Sequence, residues 1–196
     1  GTTLIAAKNS KRYGVGTEIS DEYIHSYNRR INNLSLFDEK KYEPKMIKDD
    51  ANNILNYLDQ NSVQLTITSP PYWDILNQKR TADNKDVRNY NELDNNLGAI
   101  SSYDEFLNEL QNIFEKVFDI TKKDGFCCVV LMDLRKRDKF YPFHVDTIQF
   151  MEQIGFELDD IIIWDRRHAY NNVRPLGYPY VFRVNKVHEF ILIFQK

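Results

Sequence analysis

At 196 residues the chain has the length of a single domain with long loops, and 42% hydrophobic content with 13% aromatics is enough for one buried core. No apolar run of about 18 residues occurs and no cationic-then-apolar leader opens the chain, so no membrane span is expected and the cytoplasm is the expected compartment. The net charge of −3 argues against a general polyanion binder. The cations are clustered, however: Arg166, Arg167, Arg174, Arg183, Lys186 and Lys196 lie near the C-terminus, and Arg135, Lys136, Arg137 and Lys139 lie upstream. Such clusters read either as one basic face suited to phosphate or as a solvated charge run.

In chain order, Gly1 to Lys8 reads as the start of a helix, with Thr2 or Thr3 as the N-cap. Tyr13 to Ile19 reads as a short strand ending at an acid, Glu18. Ser20 is placed to cap a helix to about Leu34, with Asp21 and Glu22 in its first turn complementing the helix dipole. After the polar residues 35–44 comes a short strand, Lys45 to Lys48. Asp49 or Asp50 then caps a helix over 51–59, with Ile54, Leu55 and Leu58 on one face. Val63, Leu65 and Ile67 alternate and predict a buried strand. Residues 74–101 lack periodicity and predict a long functional loop.

Ser101 or Ser102 opens an amphipathic helix whose buried stripe is Phe106, Leu110, Ile113, Phe114, Val117 and Phe118. Asp124-Gly125 ends that unit, and Phe126 to Met132 reads as a strand covered on both faces. There follow a basic loop, Arg135 to Lys139, and a helix over 143–154 stopped by Gly155. A strand from Glu157 to Trp164, a basic and aromatic loop over 165–187 and a last strand from Phe190 to Phe194 complete the chain. The alternation predicts an α/β layered domain with helices on both sheet faces. The last two strands have no helix between them and are expected as an antiparallel edge pair. Cys127 and Cys128 are adjacent in a strand and so point to opposite faces; no disulfide, zinc or other metal site is expected.

One stretch carries chemistry. The strand through Ile67 and Thr68 meets Ser69-Pro70-Pro71-Tyr72-Trp73. Consecutive prolines donate no backbone hydrogen bond and fix their own φ, so the strand stops and the chain leaves the sheet stiffly extended. Ligands bind at the carboxyl ends of strands in open α/β sheets. A rigid corner there, with carbonyls, a hydroxyl and flat rings, suits a planar polar group such as a nucleobase amine; the competing reading is an ordinary Pro-Pro turn.

These residues resemble the amino-group DNA methyltransferases, which use S-adenosylmethionine to methylate cytosine N4 or adenine N6. Ser69-Pro70-Pro71-Tyr72 is similar to the family's catalytic tetrapeptide, and Gly1-Thr2-Thr3-Leu4 to the tail of its Gly-rich cofactor turn. Gly16-Thr17-Glu18-Ile19, Lys48-Asp49-Asp50-Ala51 and Val187 to Phe194 resemble further motifs in the family's order. The resemblance implies one Rossmann-like catalytic domain over 1–196, its sheet mostly parallel with an antiparallel final pair. It also implies a strand before Gly1 that this sequence does not contain, so the sheet is expected to be incomplete, completed by an upstream segment or a second copy.

The resemblance further implies roles. Ser69 and the Pro70 carbonyl would accept hydrogens from the target amine, Pro71 would stiffen the corner, and Tyr72 would stack on a base extruded from double-stranded DNA. S-Adenosylmethionine would lie against Gly1, Thr2, Thr3, Glu18, Ile19, Asp50 and Ala51, with Glu18 on the ribose hydroxyls and Asp50 on the adenine amine. Glu18 could instead be a surface acid, and Asp50 a plain helix cap. Trp73 is expected either in the base pocket or in the core, and His188 is expected to be structural. Arg166, Arg167, Arg174 and Tyr178 are expected to contact DNA, with loops 74–100 and 165–187 as the recognition elements. Serine in the tetrapeptide resembles the cytosine-N4 enzymes, with adenine N6 as the alternative and an inactive nucleic-acid-binding remnant as the rival.

Overall fold

A computed structural model describes residues 1–32, 40–73, 97–136, 138–168, 180–184 and 186–196. The first unit comprises helix α1 (Thr2–Asn9), strand β1 (Val15–Thr17), helix α2 (Asp21–Asn32) and strand β2 (Lys45–Ile47), with β1 and β2 paired in parallel. Gly1, not Thr2 or Thr3, is the α1 N-cap, and it makes no side-chain cap bond. The reason is steric: a Cβ at Gly1 would come 2.4 Å from Tyr27 Cδ2, so only glycine lets α2 press on the start of α1. Leu4, Tyr27 and Ile31 form a small core there. The predicted helix over 51–59 is a 3-10 turn, Ala51–Asn56, with Asp50 as its cap and none of its residues buried. With no face to bury against the sheet, nothing favours a longer α-helix.

The second unit is a four-stranded sheet ordered β3 (Val63–Thr68), β4 (Thr121–Leu131), β8 (His188–Gln195), β7 (Glu157–Asp165). β3 and β4 are parallel, and β8 runs antiparallel to both β4 and β7. Three of the four strands therefore share a direction, and the expected antiparallel edge pair is present. Helices α3 (Tyr103–Ile120) and α4 (Phe143–Ile154) cover one sheet face. Ser102 caps α3, and its buried stripe runs through Phe106, Leu110, Ile113, Phe114, Val117 and Ile120, with Phe118 only half-buried. Gly155 ends α4 at φ 116°, a left-handed conformation that favours glycine.

Three expectations are corrected. Asp124-Gly125 does not end a unit: β4 begins at Thr121 and passes through both residues. Asp124 takes φ 60°, and a Cβ at Gly125 would lie 2.8 Å from the Lys122 carbonyl oxygen, so the strand bends there rather than stopping. The basic loop at 135–139 is instead part of a hairpin, β5 (Leu134–Lys136) with β6 (Lys139–Tyr141). Third, β3 is not buried. Leu65 and Ile67 pair in register with Phe126 and Cys128, on the face opposite α3 and α4, and are 48% and 44% exposed. Ile162 and Trp164 continue that open face across β7. Helices on both faces of this sheet are thus not found among the described residues, and no strand among them bridges β1 and β3. Cys127 is buried and Cys128 half-buried, and both thiols are free. No helix among the described residues is long and apolar enough to cross a membrane.

Candidate active site and cofactor cleft

The two units meet at the carboxyl ends of β1, β2 and β3. A cavity of about 170 Å³ opens there, lined by Thr17, Glu18 and Ile19 after β1, Asp49, Asp50 and Ala51 after β2, and Pro71, Leu97 and Ile113 from the second unit. Four predicted cofactor residues, Glu18, Ile19, Asp50 and Ala51, come together in it. Gly1, Thr2 and Thr3 do not line it: Gly1 packs on Tyr27, and the Thr2 hydroxyl accepts from Arg30. Lys116 of α3 donates to Asn52 at 2.6 Å and ties the Asp50 turn to the second unit.

Three carboxylates border the cavity, and their partners differ. Glu18 accepts from the Ser20 amide at 3.0 Å. Asp49 accepts from the Asp50 amide, Asn53 and Tyr57. The Tyr57 hydroxyl, then Asn53 and the Asp50 amide, hold the Asp49 carboxyl below its ordinary pKa. Asp50 spends one oxygen on the Asn52 amide at 2.8 Å, the cap predicted for it, and its other oxygen has no hydrogen-bond partner among the described residues. The arrangement offers anionic acceptors for hydroxyl or amine donors beside apolar walls at Ile19, Pro71, Leu97 and Ile113.

The Ser69–Trp73 corner sits beside this cavity and shares Pro71 with it. Ser69 is exposed at the end of β3, Pro70 is buried, and the Ser69 and Tyr72 hydroxyls lie 3.4 Å apart. Tyr72 is half-buried and packs one side against the core. Trp73 belongs to the core, at 3% exposure. Its indole N–H donates to the Ile100 carbonyl at 2.9 Å, Tyr103 and Tyr141 meet it edge-on, and the Lys136 ammonium stands 4.0 Å from its ring centroid. Trp73 also holds φ 48°. A bulky residue in that region is strained by about 1–3 kcal/mol, and the packed indole is what holds it there.

The expected DNA contacts divide. Arg166 is ion-paired with the buried Glu189 at 2.8 Å and stacks on Trp164, and Arg167 is paired with Asp165. Both lie at the sheet end that carries the corner, but each has a structural partner. Arg174 and Tyr178 lie outside the described residues, as does most of both recognition loops. His188 packs edge-on against Phe190, a structural position.

Residue-type reasoning missed a buried charged node at the end of β4. Asp133, 8% exposed, accepts from Lys186 at 2.8 Å and from both the ring and the amide of His144. Burial pulls its carboxyl upward, but the hydrogen bonds from Lys186 and His144 overcome that and leave it below its ordinary value. The node joins β4, α4 and the start of β8 and braces the β5–β6 hairpin, whose Tyr141 supports Trp73. Only the run of basic residues around 135 hinted at it.

The N6_N4_Mtase family, described as DNA methylase, matches residues 63–196. The type II methyltransferase M.MthZI of Methanothermobacter thermautotrophicus is 29% identical over 154 residues, 72% of this chain and 42% of that protein. Type II methyltransferase M.Cfr9I of Citrobacter freundii is 32% identical over 88 residues, 45% of this chain and 25% of that protein. The DNA modification methylase TTHA0409 of Thermus thermophilus, solved with S-adenosyl-L-methionine, superposes with a TM-score of 0.52 at 26% identity, covering 75% of this chain and 53% of that one. The cytosine-N4-specific PvuII DNA methyltransferase shares the fold, with a TM-score of 0.51 at 19% identity over 77% of this chain and 48% of that one. The chain thus spans about half or less of the length of these relatives. A match over residues 63–196 covers most of the chain, including the Ser69–Tyr72 corner, and on that basis the protein belongs to the N6_N4_Mtase DNA methylase family.

Proposed function

We propose that this chain is the catalytic part of an S-adenosylmethionine-dependent DNA methyltransferase that methylates an exocyclic base amine, with cytosine N4 as the acceptor. The observation that carries this reading is the shared Pro71: one residue belongs both to the Ser-Pro-Pro-Tyr corner and to the cavity bordered by Glu18 and Asp50. The residues present fit the cofactor. Glu18 has the acceptors for ribose hydroxyls, the second Asp50 oxygen suits an adenine amine, and Ile19, Pro71 and Leu97 offer flat apolar contact. At about 170 Å³ the cavity has room for part of the cofactor rather than all of it, since drug-sized ligands take about 300 Å³ or more.

Bound there, S-adenosylmethionine supplies an activated methyl. The chain's own residues prepare the acceptor. A base amine is a poor nucleophile because its lone pair is delocalised into the ring. Ser69 Oγ and the Pro70 carbonyl accept its hydrogens, which favours a pyramidal nitrogen with the lone pair localised. The Tyr72 hydroxyl, 3.4 Å from Ser69 Oγ, orients the serine, and the Tyr72 ring is placed to stack on the base. The core packing of Trp73 keeps the corner from relaxing. Such preplaced groups are typically worth about 3–4 kcal/mol each in a water-poor site. Serine in place of a carboxylate leaves the corner uncharged, which favours cytosine N4 over adenine N6.

A second reading concerns completeness. The edges of β1 and β3, unbridged among the described residues, favour a sheet that takes a further strand from an upstream segment or a second copy. The decisive experiment is digestion of DNA treated with this chain and the cofactor, followed by mass spectrometry of the nucleosides. N4-methylcytosine is expected; N6-methyladenine would reassign the base. No methylated nucleoside, together with no S-adenosylmethionine binding by calorimetry, would leave the nucleic-acid-binding remnant.

A further inference from the structure

We propose that the β5–β6 hairpin, together with the Tyr180–Val184 segment, forms a docking surface for duplex DNA flanking the target base; this rests on the reading of the chain as a DNA methyltransferase. The hairpin alternates, so its two faces differ. Leu134 and Tyr141 pair in register, with Leu134 buried, and Tyr141 supports Trp73, so this face looks toward the catalytic corner. Arg135 and Phe140 pair on the opposite face. Phe140 is 38% exposed although it is a large apolar side chain on a three-residue strand. Two cations flank its ring, the Arg135 guanidinium at 5.2 Å and the Lys186 ammonium at 3.9 Å from the centroid.

The Tyr180–Val184 segment is pinned beside this face at two points. Arg183 donates to Asp138 at the hairpin turn at 2.9 Å, and Lys186 donates to Asp133 at its base at 2.8 Å. Held there, the segment leaves Tyr180 93%, Phe182 73% and Val184 78% exposed. The surface therefore sets the exposed Arg135 and the Lys186 ammonium among exposed rings, in a protein whose overall charge is −3, while Lys139 lies on the hairpin's other face, over Tyr141. Cations with interleaved aromatics match a sugar–phosphate backbone, where charge meets phosphate and rings pack on sugars and base edges. A protein partner would match the rings but would need acidic groups to meet Arg135 and Lys186. Because the hairpin's inner face packs on Trp73, a duplex seated on its outer face is separated from the corner that Trp73 backs by the thickness of the hairpin.

The test is fluorescence anisotropy of a short labelled duplex of mixed sequence, titrated with the full chain between about 50 and 200 mM salt. The Arg135→Ala variant is expected to weaken binding and to flatten the log–log salt slope by about 1, since each lost phosphate contact removes roughly 0.9. Phe140→Ala and Phe182→Ala are expected to weaken binding several-fold with the slope unchanged. Lys122→Ala removes the same charge from the opposite end of β4 and is expected to change neither quantity. An equal slope loss in that control, an unchanged slope in the hairpin variant, equal competition by the unpaired strand, or no duplex binding by the parent chain would each overturn the proposal. Ser69→Ala separates the two readings: it should bind duplex like the parent while losing methyl transfer, so loss of the docking effect would leave the catalytic assignment standing.

Discussion

Replacing Trp73 with alanine tests whether the catalytic corner is held from behind. Trp73 is 3% exposed, wedged between Tyr103 and Tyr141. Truncating a buried aromatic of this size costs about 3–5 kcal/mol. The lost N–H···O bond to Ile100 adds about 1 kcal/mol, and the contact with Lys136 about 0.5–2 kcal/mol. These terms share atoms and do not sum fully, so about 4–5 kcal/mol is the working figure. For a chain of this size 1 kcal/mol moves Tm by about 2–4 °C, which gives a drop of roughly 10–15 °C by circular dichroism. Trp73→Phe keeps most of the packing but loses the donor, and should fall by only about a quarter as much. A Trp73→Ala drop below about 3 °C, or equal drops for the two variants, would refute the argument that indole packing holds the corner.

Ser69→Ala should leave Tm and S-adenosylmethionine affinity unchanged, because Ser69 is exposed, while cutting the methyl-transfer rate by about 10²–10³; a smaller loss in single-turnover assays would remove its hydroxyl from catalysis. Asp50 combines a cap with a proposed cofactor contact, and two substitutions separate them. Asp50→Asn keeps the cap, because asparagine caps as well as aspartate, and should lower only cofactor affinity in calorimetry, whereas Asp50→Ala should also cost about 1 kcal/mol of stability. Asp133→Asn should destabilise by about 3 kcal/mol, the low end for breaking a buried pair, because Lys186 keeps 32% of its side chain exposed. The Asp133 carboxyl is held below its ordinary value, so its stabilisation is complete above the unfolded carboxylate pKa of about 4 and fades as pH falls through the lower folded value. Urea melts of the parent should therefore lose stability below about pH 4 more steeply than those of Asp133→Asn; parallel acid profiles would contradict this.

Elements whose signals are local were legible in the residues alone. Ser102 and the 3.6-residue stripe specify α3, Gly155 stops α4, and the lack of a helical pattern in the sequence between 165 and 187 predicts the antiparallel pairing of the last strands. The same holds for the corner, since two prolines after a strand dictate a stiff exit wherever the strand lies. What stayed open depended on neighbours distant in the chain. Alternation says that Leu65 and Ile67 share a face but not whether anything covers it, and here that face is open. Asp124-Gly125 reads as a break because local propensity cannot register pairing with β3, which carries β4 back to Thr121. Short strands rich in Lys and Arg look like a loop until tertiary contacts seat them, as Asp133, Trp73 and Lys186 seat the hairpin. Trp73 was undecided between pocket and core for the same reason: an aromatic after Pro-Pro packs wherever a ring-lined slot exists, and that slot is built by Tyr103 and Tyr141, about 30 and 68 residues further along the chain.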